Sequence, residues 1–289
     1  IVTGGAGFIG HNVVRQLEAL GHECFILDSV TNYGFVPKEE LDYLKRERKR
    51  RIRANIHHLD LRNHKDVSNF FNNFADKVSA VIHLASFPRQ KVVSANPVWG
   101  SDVMSTGLVH LLEETRKNQI PKFVYISSSM VYGDFTDDVK EDYNCKPQGQ
   151  YGIMKLMGEW LVRDYTRRNC FDHAIIRPSA VYGELDVEDR VVSKFMLAAM
   201  RGETLKVNGA SETLDFTYVE DAAMGIALAT TSEQAANKIY NITRSDQTLT
   251  TLKDAADLAI SIAGRGSVEI QDRDLSFPRR GRLNIERAV

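Results

Sequence analysis

Apolar and polar positions along this chain follow two rhythms, and the first thirty residues show both. Ile1-Val2-Thr3 is a β-branched stub that runs into Gly4-Gly5-Ala6-Gly7. Over residues 8–20 the apolar positions Phe8, Ile9, Val13, Val14, Leu17 and Leu20 fall at helical spacing, and Gly21 offers the left-handed stop that ends such a helix. Cys24-Phe25-Ile26-Leu27 is then a short apolar run closing on Asp28, the length of a buried parallel strand. Runs of the same kind recur at 80–85, 122–127 and 173–177, with helical patterns between them, for instance over 103–115 and 151–168. Strands alternating with helices predict an α/β fold, a Rossmann-like doubly wound parallel sheet with helices on both faces. The right-handed crossover rule leaves few other topologies.

Two stretches depart from that rhythm. Lys45-Arg46-Glu47-Arg48-Lys49-Arg50-Arg51-Ile52-Arg53 is a basic run inside a helix-prone insertion after the second strand, and it reads as a solvated surface helix. From Ser179 the spacing becomes irregular, so 179–289 is predicted to form a smaller mixed α/β substrate lobe, mainly from 179–211 and 245–289. Residues 1–178 are predicted to form the doubly wound domain, and 212–243 read as a return to it. No low-complexity linker separates the two, which predicts one compact two-lobed unit.

Composition narrows the function classes. With 289 residues, 43% hydrophobic and 26% charged, the chain is ordinary globular protein, long enough for a sizeable core. The 37 Lys+Arg against 38 Asp+Glu leave a net charge of −1, so no global basic field exists to hold nucleic acid or an anionic membrane. Cys24, Cys145 and Cys170 are widely spaced, with no CxxC pair and no metal-ligand spacing, which predicts no metal and a reducing, cytoplasmic setting. No apolar run approaches the roughly 20 residues of a membrane span. The first residue is Ile1 inside a strand-like run, as in a trimmed chain, so any targeting signal is expected to lie outside it.

Gly4, Gly7 and Gly10 give Gly-x-x-Gly-x-x-Gly between the first strand and the first helix. Glycine allows positive φ in the turn and lets the backbone approach a pyrophosphate with no Cβ in the way. The free N–H groups and positive dipole of the helix start then receive the phosphates. An acid about 20 residues on completes the context: Asp28 ends the second strand, where a carboxylate accepts both ribose hydroxyl hydrogens. The same carboxylate repels a 2′-phosphate, so NAD is expected over NADP. Asp60, in His57-His58-Leu59-Asp60-Leu61, also follows a strand and is a candidate partner for the adenine.

Tyr151 and Lys155 open a helix four residues apart, on one face. A phenol with a pKa near 10 must be depressed by roughly 3 units to act as a base near neutrality. A neighbouring ammonium and an oxidised nicotinamide ring are expected to supply that depression, letting the tyrosine take a proton from an alcohol as hydride leaves the same carbon. Ser127-Ser128-Ser129 follows the strand at 122–126, at the carboxyl end where open α/β sheets bind ligands, and a hydroxyl there can bond the reacting oxygen.

Together these motifs resemble the extended short-chain dehydrogenase/reductase family, and within it the nucleotide-sugar epimerases and dehydratases. Thr3-Gly4-Gly5-Ala6-Gly7-Phe8-Ile9-Gly10 is similar to the family's dinucleotide turn and His83-Leu84-Ala85-Ser86 to its nicotinamide-side strand. Ser127-Ser128-Ser129-Met130-Val131-Tyr132-Gly133, with Tyr151 and Lys155, resembles its catalytic strand and helix. Arg177-Pro178-Ser179-Ala180-Val181-Tyr182-Gly183 and Asp215-Phe216-Thr217-Tyr218-Val219-Glu220-Asp221 resemble the segments that shape its substrate lobe. The resemblance implies a catalytic triad of Ser128, Tyr151 and Lys155, the lysine also holding the nicotinamide ribose. It implies NAD contacts from Gly4, Gly7, Phe8, Ile9, Gly10, Asp28, Asp60, Leu61, Leu84, Ala85, Ser86, Tyr151, Lys155 and Pro178. Substrate contacts are expected from Ser128 and Ser129, from Arg89 on the loop after the nicotinamide-side strand, and from Arg279, which matches a late diphosphate-binding arginine.

Water-eliminating members carry Asp-Glu directly after the catalytic Ser/Thr, and related decarboxylases carry Glu two positions after it; here those positions hold Ser129 and Met130. The resemblance thus implies an NAD-dependent nucleotide-sugar epimerase working through a transient ketone. The alternatives are a sugar dehydrogenase or ketoreductase of the same family and a nucleotide-binding regulator that has lost the chemistry. Met104, Ala180 and Leu214 depart from the family, which commonly has Asn, Asn and Arg there, the last two helping to hold the diphosphate. Members often pair through the helices equivalent to 103–115 and 151–168, so a homodimer is expected.

Overall fold

Thirteen strands appear in the computed structural model, which describes every residue except 35, 88, 137 and 246–248. They are β1 (Val2–Thr3), β2 (Ile26–Asp28), β3 (Ile56–His58), β4 (Ala80–His83), β5 (Lys122–Ile126), β6 (Asp172–Pro178), β7 (Val181–Tyr182), β8 (Thr204–Asn208), β9 (Thr213–Leu214), β10 (Thr217–Tyr218), β11 (Lys238–Ile242), β12 (Thr250–Thr251) and β13 (Ser267–Gln271). Seven of them form one sheet in the order β11-β6-β5-β4-β1-β2-β3, every pairing parallel. The order reverses between β1 and β4, and it is at such a switch that an open parallel sheet leaves a crevice beyond its carboxyl ends.

Among the described residues ten α-helices connect the strands: α1 (Phe8–Ala19), α2 (Lys38–Arg50), α3 (His64–Phe74), α4 (Gln90–Ala95), α5 (Pro97–Ser101), α6 (Gly107–Lys117), α7 (Gly149–Arg167), α8 (Val191–Arg201), α9 (Val219–Thr231) and α10 (Leu252–Ala263). One sheet face packs Val13, Val14 and Leu17 of α1 with Ile226 and Ala227 of α9 against Val2, Ile26, Ile82, Val124 and Ile176. The other packs Phe70 and Phe71 of α3, Leu108, Leu111 and Leu112 of α6, and Val162 and Tyr165 of α7 against Leu27, Val81, Phe123 and Ile175. Strands covered on both faces read as near-continuous apolar runs, which is why the sheet was visible in the chain's pattern. A separate small core of Phe195, Ala199, Leu205, Val207, Ala256 and Ala259 joins α8, β8 and α10.

Three details differ from the sequence reading. The second strand begins at Ile26, because Phe25 turns into an aromatic cluster with Phe70, Phe74 and His57. The helix predicted over 103–115 continues from α5 through a π-helical turn at Asp102–Thr106. The basic run does form a helix, α2, but it is not a wholly solvated one: Leu44 and Arg48 are buried. Spacings of three and four put Leu41, Lys45 and Arg48 on one face, toward a cavity that runs between the sheet and the small core.

Candidate active site

A cavity of about 720 Å³ opens at the carboxyl ends of β1, β2, β4 and β5 and extends to β8 and the C-terminal segment. Its floor is the glycine turn. Gly4 has φ +70°, and a Cβ there would stand 2.7 Å from the Ala85 nitrogen; a Cβ on Gly10 would stand 2.1 Å from the Gly4 carbonyl oxygen. Only glycine fits both places, so the requirement at these positions is steric as well as conformational. α1 starts with no side-chain cap and no acid in its first turn, and its first bond runs from the His11 N–H to the Gly7 carbonyl. Phe8, Ile9 and Gly10, whose N–H groups precede that bond, line the cavity with the turn.

Asp28 sits at the tip of β2, beside the turn. Its carboxylate accepts the Ala6 N–H at 3.0 Å and the Val30 N–H at 2.8 Å. Burial pushes this carboxyl up, against the opposing pull of those N–H groups and the Lys45 and Arg48 charges. Asp60 lies two residues past β3 and lines the same cavity, clamped by Arg62 with Nη2 to Oδ2 at 2.6 Å, which holds its carboxyl below the usual range. Leu61, Leu84, Ala85, Ser86 and Pro178 line the cavity as well. β4 is fastened to the glycine turn through Thr3, whose Oγ1 bonds His83 Nδ1 at 2.8 Å and accepts the Ala85 N–H at 3.3 Å.

The polar centre lies where β5 ends. Ser128 caps a short 3₁₀ turn at Ser129–Tyr132 by accepting the Met130 N–H at 3.2 Å, and it lines the cavity together with Tyr151. The first turn of α7 is fixed by Gln90 of α4, whose Oε1 accepts the Tyr151 N–H at 3.2 Å. One turn further, Lys155 is buried at 4% exposure and donates to the Ile126 carbonyl at 2.8 Å. Another turn on, Glu159 forms a buried bidentate pair with Arg177 at 2.9 and 2.6 Å and accepts the Ser127 hydroxyl. Tyr151, Lys155 and Glu159 thus share one helix face, which docks on the β5 terminus.

Burial raises the Tyr151 phenol above its ordinary pKa, and the groups that pull it down are the Arg190 guanidinium and the Ser128 hydroxyl. Lys155 is itself brought down to about 7 by burial, with Glu159 opposing. The ammonium stands 5.8 Å from the phenol ring centroid, and its hydrogen bond goes to the backbone.

Known proteins settle the lineage. The NAD dependent epimerase/dehydratase family matches residues 1–243. The chain belongs to that family. A Methanocaldococcus jannaschii protein assigned as a UDP-glucose 4-epimerase is 32% identical over 257 residues, 86% of this chain and 77% of its own. A Thermodesulfobacterium geofontis UDP-glucuronate 4-epimerase is 29% identical over 231 residues, 78% of this chain and 69% of its own. Among solved structures, the Thermus thermophilus UDP-glucose 4-epimerase in complex with NAD superposes with a TM-score of 0.84 at 25% identity, over 99% of this chain and 90% of that one.

As a member of an NAD-dependent family, the chain carries a cradle that suits its cofactor. The glycine turn, its uncapped helix start and the Asp28 carboxylate fit a dinucleotide without a 2′-phosphate. On the substrate side of this epimerase/dehydratase chain, Ser129 lines the cavity but is buried and hydrogen-bonded to the Ser179 hydroxyl at 3.2 Å. Arg89 lines it too and is engaged by Asp189, with Nη2 to Oδ2 at 2.7 Å. Arg279 is placed differently. Its side chain is exposed outside the cavity, and its N–H is held by Asp134 at 2.6 Å; the neighbouring Arg280 lines the cavity instead. Arg280 faces Arg190 and Glu212, and burial lowers its pKa to about 10. Ala180 sits at φ +37°, and buried Leu214 lines the cavity wall. Arg190, Arg280, Lys45 and Arg48 had no periodic signal: two lie in irregular loops and two are hidden in the basic run of α2.

Proposed function

We propose that this family member is an NAD-dependent epimerase of UDP-hexoses, inverting carbon 4 through a transient ketone. The observation that carries the reading is that Ser128, Tyr151 and Lys155 meet at the end of β5, in one cavity with the glycine turn. The two positions after Ser128 hold Ser129, tied to Ser179, and Met130, buried at 6% exposure; neither can donate or take the proton that elimination requires. The 4-epimerases among its relatives support the same substrate class.

The chemistry NAD supplies when bound is reversible acceptance of a hydride from a carbinol carbon. Tyr151 Oη takes the proton of the sugar hydroxyl and later returns it. Ser128 Oγ, held by the Met130 N–H, bonds the same oxygen in both its alcohol and its carbonyl forms. Lys155 lends positive charge beneath the phenol and is placed to reach the nicotinamide ribose. Arg190 adds charge beside Tyr151 and, with Arg280, forms the cationic pair that receives the diphosphate in place of an arginine at 214 and of Arg279.

The lobe division of 1–178 with 212–243 against 179–211 with 245–289 is retained in this reading, the smaller lobe carrying the substrate. A homodimer through α6 and α7 is proposed, supported by apolar side chains that these helices leave exposed: Val109, Ile153 and Trp160. A cytoplasmic location is proposed from the three thiols of Cys24, Cys145 and Cys170, all free; among the described residues no helix is long and apolar enough to cross a membrane.

The test is a panel of UDP-glucose, UDP-galactose, UDP-glucuronate and UDP-galacturonate, followed by NMR for the 4-epimer. Formation of an equilibrium pair without stoichiometric NADH supports the reading. Net NADH production, or a 4-keto-6-deoxy product, overturns it.

A further inference from the structure

We infer that α2 is a clasp that retains the cofactor: Lys45 and Arg48 close the adenosine end of the cavity by gripping the backbone on its two opposite rims. The inference rests on the NAD-dependent reading above. The two side chains are three residues apart on the face of α2 that lines the cavity. Lys45 Nζ donates to the Val30 carbonyl at 2.8 Å. Arg48 donates twice to the Leu185 carbonyl, from Nε at 3.2 Å and Nη2 at 2.7 Å.

Both gripped residues are unusual. Val30 has φ +53° and Leu185 has φ +64°, left-handed conformations that bulky and β-branched side chains avoid. Backbone held in that region persists only where the surroundings over-determine it. Here the surroundings are the two cations of α2, together with Asp28, which accepts the Val30 N–H at 2.8 Å. One rim is therefore the loop expected to carry the adenosine ribose, and the other is the loop 183–190 of the substrate side.

Further contacts repeat the crossing nearer solvent. Arg51 pairs with Glu184 through both guanidinium nitrogens, and Glu40 Oε1 accepts the Glu188 N–H at 2.7 Å. Arg48 is 5% exposed, and its charge faces Asp186, Asp28 and Glu40. A buried guanidinium bonded twice to a strained carbonyl, in the field of three carboxylates, is costly to withdraw. The cofactor cannot leave past Asp28 until those bonds break. A chain that must return each hydride to the sugar it came from gains from such retention, whereas a net dehydrogenase must exchange its cofactor every turnover.

The experiment measures release of radiolabelled NAD from the purified, loaded protein into excess unlabelled NAD, with no sugar present. The parent and the outward-facing control Arg46→Ala are expected to release slowly and equally, and Arg48→Ala and Lys45→Ala at least roughly tenfold faster. If Arg48→Ala does not fold, Arg48→Gln and Glu184→Ala read the same rate at positions that keep the chain packed. Parental release rates in the folded variants overturn the clasp, as does rapid exchange by the parent itself. Either result leaves the epimerase reading standing if the 4-epimer still forms, and absence of the epimer with slow, Arg48-dependent release overturns only that reading.

Discussion

Tyr151 and Lys155 stand one turn apart on α7, yet the Lys155 ammonium gives its hydrogen bond to the Ile126 carbonyl at 2.8 Å, while the groups that lower the phenol's pKa are Arg190 and Ser128. The acid–base work is thus divided. Lys155, bonded to the β5 terminus, sets the position of the helix face and lends its charge beneath the phenol, to which Arg190 adds its own charge and Ser128 its hydroxyl. Tyr151→Phe is expected to bind NAD as the parent does and to lose roughly 10²–10⁴ in kcat, the range for a positioned proton-transfer group. Ser128→Ala should lose activity too, but Ser129→Ala much less, because Ser129 is committed to Ser179. Isothermal titration with NAD beside initial rates separates binding from turnover.

Gly10→Ala tests the turn. The added Cβ would lie 2.1 Å from the Gly4 carbonyl oxygen, against backbone that has no flexible end to yield. Loss of NAD binding is expected, with a lowered melting temperature from the displaced turn. Binding within a few-fold of the parent would mean that the pyrophosphate does not sit on this turn.

Neighbouring arginines give a sharp comparison. Arg280 lines the cavity facing Arg190, whereas Arg279 is exposed outside it. A hydrogen bond between charged partners contributes about 1.5–3 kcal/mol, so Arg280→Ala should raise KM for the nucleotide sugar roughly 10–100-fold. Arg279→Ala should leave it near parental. Steady-state kinetics on the two variants decide which residue holds the phosphate.

Stability should depend on pH through His83. It is 2% exposed, bonded to Thr3, and burial together with the Lys155 charge lowers its pKa to about 3. An unfolded chain protonates this imidazole below roughly pH 6.5 and the folded chain does not. The unfolded state therefore binds more protons between about pH 6.5 and pH 3, and stability falls as pH falls, by up to about 1.4 kcal/mol per unit. Asp28 and Asp186, whose carboxyls burial raises, push the other way. The parent should lose more stability than His83→Gln between pH 6.5 and pH 5 in urea titrations; equal losses would contradict the assignment.

Much of the fold was legible because buried parallel strands are written as uninterrupted apolar runs, as in Val81-Ile82 and Phe123-Val124-Tyr125-Ile126. The glycine turn was legible for a different reason: steric exclusion at Gly4 and Gly10 leaves one residue type possible. What escaped lay where no period applies. The loop 183–190 delivers Arg190 to the phenol by a path that pattern reading does not follow, and a one-residue difference in an irregular segment separates Arg280 from Arg279. Arg48 was hidden among identical charges, since composition does not show which member of a basic helix faces inward.

The most direct test of the central account uses a UDP-hexose carrying deuterium at carbon 4. Oxidation and return within one held complex predicts a 4-epimer that keeps its deuterium at the same carbon, with no free NADH and no label in solvent. Loss of deuterium to water, or its appearance in released NADH, would contradict the account.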